Sequence, residues 1–295
     1  MTASRRLAVG LTQWHATADP DTNLATALRL IEEAADGGAA LVALPENGLM
    51  LGTNAQMREA AFDVDAVPVK ELCAAARRHS VVIVLGGMKN RTVDGVYNSA
   101  LVIDRDGTIA GRYDKLHLFD ANIGGQSFEA SSVERPGDGP VLIDVDGVRI
   151  GLTICYDVRF PELSRELAAA GAEILLVPAA FVRSTGEAHW HTLLRARAIE
   201  NLAYVVAPAT VHSPTPDHVD AFETYGHALV VSPWGEVLVD LGEDPAVVTV
   251  VDLNLDAVAA ARARLSVLSG RRGHEVYGAE PTIVAIKSDT KRERS

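Results

Sequence analysis

The strongest constraint on the fold is the repeated pairing of an amphipathic helix with a short apolar strand. Residues 21–36 carry apolar side chains at helical spacing, and Gly37 then favours a helix end. Residues 40–44 follow as a continuous apolar run, which is typical of a strand covered on both faces. Predicted helices over residues 69–79 and 191–201 precede similar runs. This alternation predicts an α/β protein.

Several predicted strands come in pairs with no helix between them. Residues 99–104 and 108–113 flank one turn, and residues 141–145 and 148–154 flank another. The Gly86-Gly87 pair fits no phosphate-binding loop, so it is also interpreted as a turn. Paired strands favour two stacked sheets with helices outside, although a single doubly wound sheet fits the same pattern.

The chain shows no internal boundary between domains. Its 295 residues contain no linker or low-complexity tract, and hydrophobic residues make up 48% of them, enough for a substantial core. Residues 287–295 are strongly polar and predict a solvated tail. We therefore expect a single domain over residues 1–280, followed by a C-terminal tail over residues 281–295.

The net charge argues against two classes of partner. At −12 it lacks the positive excess that nucleic acid or an anionic membrane would require. No apolar stretch approaches the roughly 20 residues needed to span a bilayer, and the N-terminus does not resemble a secretory signal. Cys73 and Cys155 are the two cysteines, which is too few for a disulfide framework. We expect a cytoplasmic protein with no nucleic-acid or membrane partner.

Three reactive side chains each follow a predicted strand. Glu46 comes after residues 40–44, Lys115 after residues 108–113, and Cys155 directly after the strand that ends at residue 154. Strand ends commonly converge on an active-site crevice. A cysteine that attacks an amide or nitrile carbon must lose its proton, which a carboxylate can accept while a lysine stabilises the negative charge that develops. The three residues supply these functions.

The motifs around these residues resemble the signatures of the nitrilase superfamily of carbon-nitrogen hydrolases. They are Leu-Pro-Glu46-Asn, Tyr-Asp-Lys115-Leu-His and Gly-Leu-Thr-Ile-Cys155-Tyr-Asp-Val-Arg-Phe-Pro-Glu, and the likeness extends from Leu7 to about Gly278. It implies a four-layer α-β-β-α sandwich, a Glu-Lys-Cys triad and a covalent thioester. It also implies no metal or organic cofactor, and protomers that pair into a homodimer or a higher homo-oligomer.

The resemblance further implies a role for each residue of the site. Glu46 is the general base and Cys155 is the nucleophile. Lys115 and the backbone N–H of Tyr156 form the oxyanion hole.

A second glutamate near the site is usual in this superfamily. Glu129 is the candidate, because the segment that begins at Phe128 resembles the stretch between the lysine and the cysteine. Pairing on Phe128 and Pro136 instead would put Ala130 in that position, and Glu134 is a further, weaker choice.

The residues that follow Cys155 resemble the amidase branch rather than the true nitrilases or the carbamoylases. Residues 185–190 and 194–200 are especially similar to deaminated glutathione amidases, with omega-amidases as near relatives. The resemblance therefore implies a small amide substrate that carries a carboxylate. Arg159 and Arg183 are candidates for binding that carboxylate through two parallel hydrogen bonds. For Arg159, an ion pair that only supports the fold is the slightly favoured alternative.

Other functions fit part of the pattern. A nitrilase or an N-carbamoyl amino acid hydrolase would use the same triad, and a non-enzymatic binding protein would be favoured only if a triad member were missing. A papain-like Cys-His pair stays open, since nine histidines are available. His189 and His191, near a predicted helix start, lack the i, i+4 spacing of a helical zinc pair, so the sequence predicts no metal site.

Overall fold

The computed structural model describes residues 4–123, 125–213 and 222–277 as a succession of strands and helices. In order, the first part comprises β1 (Arg6–Trp14), α1 (Pro20–Asp36), β2 (Leu41–Ala43), α2 (Asn54–Glu59), α3 (Val67–His79), β3 (Val82–Thr92), β4 (Gly95–Ile103), β5 (Ile109–Asp114), β6 (Asp120–Ile123) and β7 (Gln126–Glu129). The second part comprises β8 (Val141–Val145), β9 (Val148–Leu152), α4 (Pro161–Ala169), β10 (Ile174–Leu176), α5 (Arg183–Asn201), β11 (Tyr204–Ala207), β12 (Ala209–Thr210), β13 (Leu229–Val231), β14 (Val237–Asp240), β15 (Ala246–Asn254), α6 (Asp256–Arg264) and α7 (His274–Tyr277). Short 3₁₀ turns cover Ala130–Ser132 and Cys155–Arg159.

The first sheet runs in the order β12-β1-β2-β3-β4-β5, and β15 also pairs with β1. The strands β1, β2 and β3 are parallel, whereas β3, β4 and β5 pair antiparallel in sequence order. Two reversals leave β5 running in the same direction as β2. The segments that follow β2 and β5 therefore emerge at the same edge of the sheet, and they carry Glu46 and Lys115.

The second sheet runs in the order β14-β13-β11-β10-β9-β8. Its central strands β9, β10 and β11 are parallel, so the segments that follow them also meet at one edge. Cys155 follows β9, and Ala180 follows β10.

Apolar residues between the two sheets form the central core, which includes Leu11, Val84, Ile150, Leu176 and Val206. A second apolar layer joins α1 and α3 to the outer face of the first sheet, and a third joins α4 and α5 to the outer face of the second. The architecture is therefore the predicted four-layer α-β-β-α sandwich, and the alternative of a single doubly wound sheet was wrong.

The helix α1 shows how the sequence builds an outer layer. Asp19 caps its first turn by accepting a hydrogen bond from the backbone N–H of Asp21, and Pro20 occupies the first helical position. Leu24, Ala27, Leu30, Ile31 and Ala34 form its buried face. Each large apolar side chain buried there stabilises the fold by about 1.5–3 kcal/mol.

Gly86 and Gly87, which the sequence predicts as a turn, lie inside β3, so that prediction was wrong. The register of β3 against β4 shifts between Leu85 and Met88, as a bulge requires. A Cβ on Gly86 would stand 1.9 Å from the carbonyl oxygen of Leu44. The glycine is needed because the backbone segment that leads to Glu46 passes too close for any side chain.

The helix α5 begins at Arg183, eight residues before the predicted start at His191. The polar run 183–189 and Gly186 hid this first part from the sequence pattern. A Cβ on Gly186 would stand 2.4 Å from the ring of Tyr225, so packing explains a glycine in the helix interior. His189 and His191 consequently lie well inside the helix.

Within the described ranges, no helix combines the length with the apolar character needed to cross a lipid bilayer. The predicted tail over residues 281–295 lies outside those ranges.

Candidate active site

The carboxylate of Glu46 is the hub of the site. Its Oε1 atom accepts hydrogen bonds from Lys115 Nζ at 2.8 Å and from Asn98 Nδ2 at 2.9 Å. Its Oε2 atom accepts one from the backbone N–H of Ala180 at 2.9 Å. Burial on its own would raise the pKa of this carboxyl, but the Lys115 ammonium, and then that of Lys89, lower the pKa to about 2. Glu46 is therefore held as an anion.

Lys115 is buried and forms an ion pair with Glu46. Burial disfavours its charge, yet the Glu46 carboxylate, with smaller contributions from Cys155 and Glu134, raises the pKa of the ammonium above its usual value. The backbone N–H of Lys115 donates to the carbonyl oxygen of Asn98 at 2.9 Å, which fixes the position of the segment. The site thus keeps a fixed positive charge beside its anion.

Cys155 opens the 3₁₀ turn after β9 in a left-handed conformation with φ of 47°. Such a conformation is strained in a non-glycine residue and tends to occur at functional sites. The backbone N–H of Cys155 donates to the carbonyl oxygen of Pro178 at 2.8 Å. Burial raises the pKa of the thiol, and so does the nearby Glu46 carboxylate, against the opposing effect of Lys115. The resting thiol therefore carries its proton.

All three residues line one cavity of about 790 Å³, a volume that includes its open mouth. Aromatic rings form much of the wall. The ring centroid of Phe119 lies 5.0 Å from those of Phe128 and Tyr156, and Phe128 lies 5.5 Å from Phe222. An aromatic wall removes water from the neighbourhood of the charged groups and so strengthens their electrostatic interactions.

Asp157 joins the lysine segment to the cysteine turn, a role that the sequence did not reveal. This buried carboxylate accepts hydrogen bonds from Tyr113 Oη at 2.7 Å and from the backbone N–H groups of Ile154 at 2.9 Å and His117 at 3.1 Å. The ring of His117 also contacts Asp157 at 2.7 Å through Nδ1. The two partners from the lysine segment lie two residues on either side of Lys115. The contacts therefore fix the lysine segment against the turn that carries Cys155.

The two glutamates near the cavity differ in burial. Glu129 lines the cavity wall, but its side chain is exposed and accepts a hydrogen bond from Ser127 Oγ at 3.1 Å. Glu134 is buried and forms an ion pair with Lys89 at 2.6 Å. Its charge also contributes to the raised pKa of Lys115. Glu134, the weaker choice from the sequence, is thus the one in electrostatic contact with the triad.

The two candidate arginines also differ in their surroundings. Arg159 lines the cavity, with its guanidinium 5.0 Å from the ring centroid of Phe181 and Nη1 3.3 Å from His189 Nδ1. Arg183 does not line it, and pairs with Glu187 at 3.2 Å and Glu243 at 3.0 Å. Arg159 is therefore available to a ligand, whereas Arg183 is already engaged.

Sequence reasoning did not identify Asn98, Lys89 or Arg58, which also line the cavity. Asn98 lies within β4 and Lys89 within β3, where a polar residue that faces the site looks like any other strand residue. Arg58 lies on the short helix α2, which has a capping box at Thr53 and Gln56. That capping signal could have revealed the helix, but nothing local indicates what its arginine faces.

Comparison with known proteins gives a consistent picture. The family model described as "Carbon-nitrogen hydrolase" matches residues 6–263. A deaminated glutathione amidase from Synechocystis sp. is 40% identical over 255 residues, which cover 84% of this chain and 92% of that protein. The omega-amidase NIT2 of Homo sapiens is 35% identical over 259 residues, which cover 88% and 92% respectively.

Two solved structures show the same architecture. The Caenorhabditis elegans NitFhit protein has a TM-score of 0.84 and 36% identity, with 92% of this chain and 66% of that chain covered. A mutant of the amidase from Nesterenkonia sp. AN1, with the acetamide moiety of fluoroacetamide added covalently at its active site cysteine, has a TM-score of 0.75 and 26% identity. The alignment covers 94% of this chain and 97% of that chain.

Proposed function

The chain belongs to the carbon-nitrogen hydrolase family, and we propose that it hydrolyses a small amide bearing a carboxylate, with Cys155 as its nucleophile. The observation that carries this proposal is that a buried Glu46–Lys115 ion pair lines the same aromatic-walled cavity as Cys155 and acts on the pKa of its thiol. Relatives named as deaminated glutathione amidase and omega-amidase support the amide class.

In the first half of the proposed reaction, Glu46 accepts the proton of the Cys155 thiol while sulfur attacks the amide carbon. The carbonyl oxygen becomes an oxyanion, which is stabilised by the Lys115 ammonium and the backbone N–H of Tyr156. Tyr156 is suited to this role because the first N–H groups of a helical turn have no partner within it. The C–N bond then breaks, the nitrogen takes the proton from Glu46, and ammonia leaves a thioester on Cys155.

In the second half, Glu46 takes a proton from a water molecule, which attacks the thioester carbon. The same two donors stabilise the second oxyanion. The C–S bond breaks, sulfur recovers its proton from Glu46, and the carboxylic acid leaves. The net change is amide plus water to acid plus ammonia, so Glu46 and Cys155 both return to their starting states.

The charges of the cavity support a substrate carboxylate. Lys115 is paired with Glu46, and Lys89 is paired with Glu134. Among the residues that the structure describes, two guanidinium groups, those of Arg159 and Arg58, line the cavity with no carboxylate partner. A guanidinium in such a position can bind a planar carboxylate through two hydrogen bonds.

Ammonia release from a substrate panel tests the proposal. The panel contains deaminated glutathione, 2-oxoglutaramate, succinamate, the neutral butyramide, a simple nitrile and an N-carbamoyl amino acid. We expect the highest kcat/KM on an amide with a carboxylate. Preference for butyramide would contradict the substrate class, and preference for the nitrile or the carbamoyl compound would favour the corresponding hydrolase instead.

Arg159→Lys tests recognition of the carboxylate. Lysine keeps the charge but lacks the planar guanidinium that donates two parallel hydrogen bonds to a carboxylate. The kcat/KM should therefore fall about tenfold or more on succinamate and much less on its methyl ester. The matched control is Arg183→Lys, the same change at an arginine outside the cavity, which should affect both substrates little. An equal loss on acid and ester would assign Arg159 to the fold instead.

We further propose Glu134, rather than Glu129, as the second glutamate of the site, because its buried charge acts on Lys115. Residues 1–280 are proposed as a single catalytic domain that assembles into a homodimer or a higher homo-oligomer. We also propose a cytoplasmic location, as expected from the sequence.

A further inference from the structure

Three side chains with metal-binding atoms converge where α5 meets the hairpin of β13 and β14. They are His191 on α5, His227 just before β13, and Asp240 at the end of β14. Their ligand atoms all lie within 4.8 Å of one another. None of these three described residues lines the cavity that holds Cys155.

We propose that this cluster binds one Zn²⁺ or a similar late first-row dication. Two imidazoles and one carboxylate are a set that such ions prefer, while Mg²⁺ prefers oxygen ligands. The ligands would be His191 Nε2, His227 Nδ1 and one oxygen of Asp240, and water would fill the remaining positions. The ion would fasten α5 to the hairpin.

The distances suit an ion of this size. His191 Nε2 lies 3.0 Å from Asp240 Oδ2, and His227 Nδ1 lies 2.9 Å from Asp240 Oδ1. Bonds of about 2.0–2.2 Å to one metal ion place neighbouring ligand atoms roughly 3.3 Å apart in a tetrahedral site. Small side-chain rotations would therefore open space for the ion between the carboxylate and the two rings.

The surrounding contacts hold two of the three ligands in place. His227 has a left-handed backbone with φ of 51°, and its N–H donates to the carbonyl oxygen of Gly242 at 2.7 Å. Its ring stacks on that of Tyr225 with centroids 4.4 Å apart. Asp240 Oδ1 accepts a hydrogen bond from the backbone N–H of Gly242 at 2.9 Å. Contacts of this kind orient ligands and increase metal affinity.

The competing interpretation is a hydrogen-bonded triplet in which both rings donate to Asp240. This interpretation also accounts for the distances. The Asp240 side chain is 32% accessible, so one side of the cluster is open to solvent. An ion could reach the cluster from this side. The two interpretations differ in what happens when a dication is added.

The experiment is a Zn²⁺ titration of the chelator-treated protein by calorimetry, with Co²⁺ absorption as a spectroscopic readout. We expect one site per chain, weak or no binding of Mg²⁺, and a rise in Tm of roughly 5 °C at a hundredfold excess over Kd. Cys155→Ala should keep the site, which separates it from metal bound by the active-site thiol.

Substitutions at the cluster provide the decisive comparison. His191→Gln keeps a polar group beside Asp240 but removes the imidazole, so Zn²⁺ affinity should fall at least tenfold and the Tm rise should disappear. His227→Ala and Asp240→Asn should likewise lower the Zn²⁺ affinity and remove the Tm rise. The control is His79→Ala, which removes a histidine of α3 outside the cluster and should leave both unchanged. The proposal would be overturned if His191→Gln bound Zn²⁺ as tightly as the wild type. It would also be overturned if the wild type bound Zn²⁺ as weakly as the cluster variants are expected to.

Discussion

Cys155→Ala should abolish ammonia release from the preferred amide while leaving the fold intact. The thiol is the proposed attacking group, and removal of a nucleophile from a catalytic unit typically costs a factor on the order of 10⁴ or more in kcat. Cys155→Ser should be nearly as inactive, because the hydroxyl ionises far less readily than the thiol. Circular dichroism and Tm report the fold, and a coupled ammonia assay reports turnover.

The matched control is Cys73→Ala, which makes the same change in α3 and should retain activity. Mass spectrometry of the wild type, quenched during turnover, should find the acyl adduct on Cys155 and none on Cys73. A natively folded Cys155→Ala enzyme that still turns over would falsify the mechanism.

Glu46→Gln and Lys115→Ala should each reduce kcat by a factor on the order of 10² or more, since proton transfer and oxyanion stabilisation each contribute that much. The two losses should not add, because Glu46 and Lys115 form one buried ion pair and act in the same step. Removal of Lys115 also removes the largest effect that lowers the pKa of Glu46, so that pKa should rise and any acid limb of the residual activity should move to higher pH.

The matched controls are Glu71→Gln and Lys70→Ala, which make the same two changes at exposed positions of α3 and should leave kcat unchanged. Because removing one member of a buried ion pair can destabilise the fold by about 3–5 kcal/mol, Tm must be measured for every variant. If a folded variant of either triad residue kept turnover near that of the wild type, the proposed role of that residue would be wrong.

The positions of the triad could be predicted because each residue follows a strand, and strand direction determines which edge of a sheet it reaches. That rule is enough to place Glu46 and Lys115 at the same edge of the first sheet. The hydrogen-bond partners of the site residues could not be predicted in the same way. Asn98 reaches Glu46 from β4, 52 residues along the chain, and Asp157 reaches Tyr113 across 44 residues. The first pairing depends on the strand order within the first sheet, and the second depends on how the two sheets stack, neither of which a local pattern encodes.

The second glutamate shows the same limit at short range. Glu129 and Glu134 are five positions apart, and either could point into the site on sequence grounds. The direction is decided by the hairpin of β6 and β7 and by the 3₁₀ turn Ala130–Ser132. That turn leaves Glu129 exposed and brings Glu134 to a buried position in the cavity lining, next to Lys89.

The hydrogen bonds of Glu46 limit how the enzyme could be re-engineered. One carboxylate receives donors from β4, from the segment after β5 and from the segment after β10, so it is a joint between the two sheets as well as the proposed base. Substitutions there would change basicity and architecture together. Lys89 influences the pKa of Glu46 through charge, without a hydrogen bond to it. The working pH range is therefore better adjusted at Lys89, jointly with its partner Glu134, than at the triad itself.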